Sequence, residues 1–438
     1  MAATTLIFKP DEPLLARFDG FGAQYNQNLF AERSRDAGVT EAGVNTMKPK
    51  LAALGPQMAR LFFHHDALAD NDLLTSFRRS VALAQATLPA GGAINITLQA
   101  LGAKVLEDHP NLIQQFADEL VHLVQEAGVD KLRWVTLRNE PNGSSPMDKD
   151  LYAQVYKELD AELTRAGVRQ QLRFMGGDLL LPGQQAWFDF IAANMADLLD
   201  AYSIHVYWDY RSPAKIDDRL QGVRRIVNGL GAAKRPLYVM EYGARGIMDE
   251  GEEEPGHTAD GRPVADTNEN AFQRAWFALA SVKQGFRGTV SWDAYFAAYD
   301  RNVLQHYSLI GPPPDWGRRP AFRALRLLIK AVRLGWKGVN VRGVSDTQRV
   351  VGFTGAGNNL TIAGLDTAGA QLDGASSQQA SYVIQGVPAN TSFGLWFWNH
   401  EGDGMNSFDG SAQSDGQGRV SIQAPLQSVF VLTTLPRP

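Results

Sequence analysis

The chain has 438 residues, too many for one typical domain and enough for a large barrel with a smaller module beside it. Its 44% hydrophobic content excludes wholesale disorder, its net charge of −5 gives no reason to expect a nucleic-acid partner, and the absence of cysteine removes disulfides, thiolate metal sites and a cysteine nucleophile. No apolar run reaches the roughly 18 residues of a membrane span, and the first residues lack a basic stretch followed by a long apolar one. The chain is therefore expected to be cytoplasmic, or secreted or periplasmic if a signal was removed ahead of residue 1.

In chain order, a short apolar run at 4–8 predicts a strand that precedes the main body. From about 17 to 335, short apolar runs alternate with amphipathic stretches, the rhythm of parallel strands joined by helical crossovers. Strands are predicted at 18–25, 58–63, 94–100, 132–137, 172–176, 201–207, 236–240 and 289–292. Helices are predicted at 111–127, 150–166, 187–199, 216–230 and 270–284. Eight such units suit a closed (β/α)8 barrel better than an open sheet, and no Gly-x-Gly-x-x-Gly follows the first strand. After a last helix at 319–334 come short β-rich runs at 349–353, 360–363, 381–385, 392–398, 419–423 and 428–433, parted by turns rich in Gly, Asp and Ser. That pattern predicts an antiparallel β-sandwich. The expected architecture is an α/β chain: a (β/α)8 TIM barrel over 17–335, and a sandwich built from 1–16 together with 336–438. Residues 395–398 are apolar on both alternating faces, so one face is expected to pack on the barrel.

Two glutamates stand out. Glu140 lies in Arg-Trp-Val-Thr-Leu-Arg-Asn-Glu-Pro-Asn (133–142) and Glu241 in Leu-Tyr-Val-Met-Glu-Tyr-Gly (237–243). Each closes an apolar run and is followed by a strand breaker, Pro141 or Gly243. A carboxylate is costly to bury without a role, and two at strand ends suggest a pair acting on one bond, as in glycoside hydrolysis. A purely structural alternative would pair them with Arg60 and Arg138. A long loop, 244–268, follows Glu241 and carries Asp-Glu-Gly-Glu-Glu-Glu (249–254). It is expected over the mouth of the barrel, as a wall of the pocket or as a solvated acidic insertion.

The Asn139-Glu140-Pro141 triplet on the fourth strand and Glu241 on the seventh resemble clan A of the retaining glycoside hydrolases. Phe-Asp-Gly-Phe-Gly-Ala (18–23) and Ser-Val-Phe-Val-Leu-Thr-Thr (428–434) resemble members with a C-terminal sandwich, the xylosidase and glucosylceramidase-like families. The resemblance implies that Glu140 is the acid/base, Glu241 the nucleophile and Asn139 the ligand of the sugar 2-hydroxyl. It also implies that Tyr207 donates to Glu241, that His205 neighbours the acid/base or the sugar, that Arg60 orients the nucleophile and that Trp292 stacks under the sugar ring. Glu241 as an anion is expected to raise the pKa of Glu140 and keep it protonated.

His64-His65-Asp66 invites a metal reading, but neighbours on a strand point to opposite faces and would not share one ion. His64 or His65 is expected to line the sugar site instead, with Gln24 and Asn26 as weaker candidates. Neither a metal nor a cofactor is expected. The expected partner is an oligosaccharide or glycoside, with no nucleic acid and no membrane. A transglycosylase would use the same residues, and a carbohydrate-binding barrel without turnover is the reading from another class.

Overall fold

The computed structural model describes residues 3–181, 184–209, 216–245, 257–258, 260–299, 307–367, 379–399 and 408–436. Strand β1 (Thr4–Leu15) precedes a closed parallel barrel. The barrel strands are β2 (Gly20–Gln24), β3 (Met58–Phe63), β4 (Ala93–Leu98), β5 (Leu132–Leu137), β6 (Arg173–Leu179), β7 (Ala201–Asp209), β8 (Leu237–Arg245) and β9 (Gly288–Ser291). The predicted strands coincide with these to within a few residues. Such strands are buried on both faces and read as continuous apolar runs, as Met-Ala-Arg-Leu-Phe-Phe in β3 does. Among the described residues, no helix is long and apolar enough to cross a membrane.

The barrel interior is layered. Met58, Trp134, Met175, Ala201, Tyr238, Met240 and Val290 form an apolar plug at its N-terminal end. Further along the same strands the buried side chains turn polar: Arg60, Thr136, Ser203, His205 and Glu241. The period-2 alternation of a strand carries Met58 to Arg60, Trp134 to Thr136, and Ala201 to Ser203 and His205. Strand β8 departs from it. Val239 pairs with Ile204 and Glu241 with His205, so β8 holds an extra residue at Met240. This bulge turns Glu241 to the side that Met240 already faces.

The remaining strands are β10 (Lys337–Arg342), β11 (Gln348–Thr354), β12 (Leu360–Asp366), β13 (Gln379–Gln385), β14 (Ser392–Trp398), β15 (Phe408–Gln413), β16 (Arg419–Pro425) and β17 (Ser428–Thr433). With β1 they make one sheet in the order β15-β14-β17-β12-β11-β10-β1-β13-β16. Its halves close as a sandwich over Leu6, Phe8, Val341, Ile362, Ile384 and Leu432. The sheet is mixed where an antiparallel one was predicted: β1 pairs antiparallel with β10 but parallel with β13. β1 is also longer than predicted and shifts register between Lys9 and Pro13, where two prolines remove ladder donors. Strands β10 and β15 went unforeseen, since Lys-Gly-Val-Asn-Val-Arg and Phe-Asp-Gly-Ser-Ala-Gln carry few apolar residues. In β14, Leu395 and Phe397 turn into the sandwich, while Trp396 and Trp398 pack on the barrel, Trp398 against Phe272 at 4.9 Å between ring centres.

Candidate active site

The polar layer converges at the C-terminal mouth. Beyond β5 the chain bends sharply, with Arg138 (φ 69°) and Glu140 (φ 48°) in the left-handed region that non-glycine residues rarely enter. A second irregularity lies within β6. Gly177 takes φ 115°, and a Cβ there would lie 2.4 Å from the carbonyl oxygen of Ser203. Only glycine permits that approach, and the next residue, Asp178, thereby reaches the barrel axis with its N–H donated to Ser203 Oγ at 2.8 Å.

Glu241 is 4% exposed and Glu140 more open, and one oxygen of each lies within 4.8 Å of the other and of a His205 nitrogen. The Arg60 guanidinium donates to Glu241 Oε1, and Tyr207 Oη donates to Glu241 Oε2 at 2.7 Å. His205 Nδ1 stands 2.8 Å from Glu140 Oε1 and 3.5 Å from Glu241 Oε2. Arg60 Nη2 donates to Asn139 Oδ1 at 2.8 Å and to Asp178 Oδ2 at 2.7 Å, and its Nε donates to Thr97 Oγ1 at 3.0 Å. Asn95 braces Thr97 from behind by accepting its hydroxyl at 2.9 Å. Ser203 Oγ donates to Asp178 Oδ1 at 2.5 Å.

Burial and charge oppose each other at every member. Burial alone would lower the His205 pKa, but the charges of Glu241 and Asp178 raise it to about 9, so the ring is an imidazolium at neutral pH. Burial would raise the Asp178 pKa, yet Arg60 and His205 hold it well below the carboxylate range. Glu241 is pushed above its ordinary value by burial, against the pull of His205, Arg60 and the Tyr207 hydroxyl. Arg60 and His205 thus face Asp178 and Glu241 in a nearly dry layer.

Glu140, His205 and Glu241 are spaced as a divalent cation would accept. The donor set does not suit one. Arg60 and Tyr207 already hold both oxygens of Glu241.

The structure brings together Glu140, Glu241, Asn139, His205, Tyr207 and Arg60. Trp292 follows β9 directly, half-buried, stacked on Tyr299 at 5.2 Å and tilted on Phe62 at 5.8 Å. Gln24 is fully buried and accepts from Arg60 Nη1 at 3.4 Å, so it lies beneath the mouth rather than on its surface. Asn26 is buried too and caps a turn by accepting from the N–H of Asn28 at 2.8 Å. The two histidines are not strand neighbours, as predicted: β3 ends at Phe63, and His65 opens a single 3-10 turn, His65–Leu68. His65 pairs with Asp66 at 3.1 Å and packs on His109 at 5.1 Å, outside the hydrogen-bond network of the carboxylates. His64 bonds the Gln99 side chain, and burial lowers its pKa. Arg138 donates to the Ser145 carbonyl at 2.7 Å and feels the charge of Glu140, while Arg60 is the guanidinium bonded to Glu241. Residues 246–256 and 259 of the acidic loop lie outside the described residues, so its expected place over the mouth does too.

Asp178 and Ser203 were missed. The signal was present, since Asp178 follows an apolar run with two glycines, Phe-Met-Gly-Gly-Asp (174–178), as Glu140 and Glu241 follow theirs. A pocket of about 300 Å3 lies beside His205 and Tyr207, lined also by Leu180, Leu181, Asp209 and Arg219.

No family model and no curated protein matches the sequence. The fold is nevertheless shared across nearly the whole chain with solved structures of low identity. A GH30 endoxylanase from Clostridium papyrosolvens C71 is 14% identical with a TM-score of 0.67, covering 99% of each chain. A glucosidase from Croceicoccus marinus is 13% identical with a TM-score of 0.67, again covering 99% of each. A GH51 arabinofuranosidase from Xanthomonas axonopodis pv. citri is 14% identical with a TM-score of 0.63, covering 99% of this chain and all of that one. At these identities the likeness establishes the fold, a TIM barrel with a β-sandwich.

Proposed function

We propose that this chain is a retaining glycoside hydrolase of clan A, cleaving a β-glycosidic bond by double displacement, with Glu241 as nucleophile and Glu140 as acid/base. The observation that carries the reading is the carboxylate pair, whose nearest oxygens lie within 4.8 Å. Retaining enzymes hold the two groups about 5–5.5 Å apart, whereas inverting ones leave about 6.5–9.5 Å for a water. The names of the fold neighbours, xylanase, glucosidase and arabinofuranosidase, point to the same chemistry.

The roles follow from the surroundings. Glu241 has donors on both oxygens, which favour its ionised form and fix its direction of attack. Glu140 is the more open of the two and faces His205 Nδ1 at 2.8 Å, as suits a group that exchanges a proton with a leaving group and then with water. With Arg60 and His205 facing Asp178 and Glu241, a proton on Glu140 spares the cluster a further negative charge. When Glu241 becomes a glycosyl ester its charge is lost, and the cluster turns more positive. Glu140 then ionises more readily and activates the incoming water. Asn139, oriented by Arg60, faces the sugar hydroxyl next to the reacting carbon, and Trp292 offers an aromatic face to the ring. The substrate is an oligosaccharide or glycoside, and no cofactor takes part.

The test is to hydrolyse aryl β-glycosides (xyloside, glucoside, galactoside, mannoside and arabinosides) and follow the first product by proton NMR. A β-configured sugar that mutarotates later is expected. An α-configured first product would overturn the mechanism.

A further inference from the structure

The N-terminal end of the barrel, opposite the carboxylate pair, carries a second hollow. It has a volume of about 550 Å3 and lies between Leu14–Arg17, the helix Ile216–Gly229, and the links that lead into β8 and β9. Five cations line it: Arg17, Arg224, Lys234, Arg235 and Arg287. Among the described residues they meet one carboxylate. Asp19 takes Arg17 Nε at 2.8 Å and Arg287 Nη2 at 2.6 Å, and the Tyr238 hydroxyl as well. Arg235 bonds only backbone carbonyls, those of Leu199 and Ala196 among them. Burial lowers the Arg224 pKa with no acid to oppose it, and burial and then Arg224 lower that of Lys234. Arg287 Nε is buried and without a hydrogen-bond partner.

Five cations less Asp19 leave a local charge of +4 in a chain whose net charge is −5. Repulsion of this kind costs stability, and among the described residues no acid acting on the pKa of Arg224 or Lys234 offsets it. Guanidinium groups gathered in a concavity match the fork geometry of an oxyanion. The hollow's volume of about 550 Å3 suits one small molecule.

We propose that this hollow binds a multivalent oxyanion of phosphate type, held by Arg224, Lys234 and Arg287 with Arg17 and Arg235 at the rim. An anion that binds only the folded chain raises its stability by mass action. The site lies at the far end of the barrel from Glu140 and Glu241, so turnover of small aryl glycosides does not depend on these cations.

The full chain is titrated with sodium phosphate by calorimetry and thermal unfolding, against sodium chloride at matched ionic strength, and in parallel with glucose 6-phosphate and with glucose. Phosphate is expected to raise the unfolding temperature saturably where chloride and glucose do not. Arg224→Gln should weaken phosphate binding by about tenfold or more, as loss of a charged hydrogen bond does. Without phosphate it should be no less stable than the wild type, because its removal relieves repulsion. Lys234→Gln, at an exposed position, should weaken binding with the fold intact. Tighter binding of glucose 6-phosphate than of phosphate would assign the site to a phosphorylated sugar, and equal binding to the free ion. Indistinguishable effects of phosphate and chloride, or wild-type phosphate affinity in both variants, would overturn the proposal.

Discussion

Tyr207 donates its hydroxyl to Glu241 Oε2 at 2.7 Å from two residues beyond His205, the residue that pairs with Glu241 across the β7–β8 ladder. One strand thus serves both carboxylates, with His205 against Glu140 and Tyr207 against Glu241. Because side chains on a strand repeat every second residue, a single register sets both contacts. Tyr207→Phe removes a hydrogen bond to a charged acceptor, about 1.5–3 kcal/mol. We expect kcat/KM to fall roughly ten- to hundredfold. The Tyr207 hydroxyl also pulls the Glu241 pKa down, so the acid limb of the pH profile should move to higher pH in the variant. An unmoved limb would mean that Tyr207 acts on the sugar alone.

The two glutamates should fail differently under the proposed mechanism. Glu241→Ala should abolish turnover on every substrate, since no ester can form. Glu140→Ala should still form the intermediate from aryl glycosides with good leaving groups and then stall. Added azide should restart turnover and yield a β-glycosyl azide, identified by NMR. Equal loss in both variants without azide rescue would count against these roles.

The buried His205 imidazolium ties stability to pH. Its folded pKa is raised from 6.5 to about 9, so between these values the native state binds more protons than the unfolded one. Its stabilising contribution is complete below about pH 6.5 and is lost as pH rises toward 9. Denaturant titrations of wild type and His205→Gln should show the wild type losing stability over that window and the variant changing less. Parallel curves would place the imidazole charge elsewhere.

The sandwich should unfold with the barrel. Trp398 is 1% exposed and packs on Phe272 of the barrel helix Asn268–Lys283. Trp398→Ala should cost about 3–5 kcal/mol in a single cooperative transition, as large-to-small core changes do. Two separated transitions by tryptophan fluorescence and far-UV circular dichroism would show that the two units are energetically independent.

Much of this was legible in the chain. Barrel strands such as Met58–Phe63 and Leu132–Leu137 are largely apolar, because parallel strands under helices are buried on both faces, and eight strand–helix units pointed to a closed barrel. Glu140 and Glu241 announced themselves as charges at the ends of such runs. The two histidines misled, because the chain leaves the strand at Phe63 and His65 already opens a turn. What pattern could not supply is direction. Simple alternation along Val239-Met240-Glu241-Tyr242 puts Glu241 and Met240 on opposite faces. The bulge that brings both inward exists only because β8 pairs with β7 on one side and β9 on the other, each with one residue fewer. Asp178 reaches the axis by a similar irregularity, at a glycine held against Ser203. Composition and period therefore determined which residues are buried and in what elements. Tertiary pairing decided which of them share the barrel axis, since a one-residue shift in register moves a side chain from one face to the other.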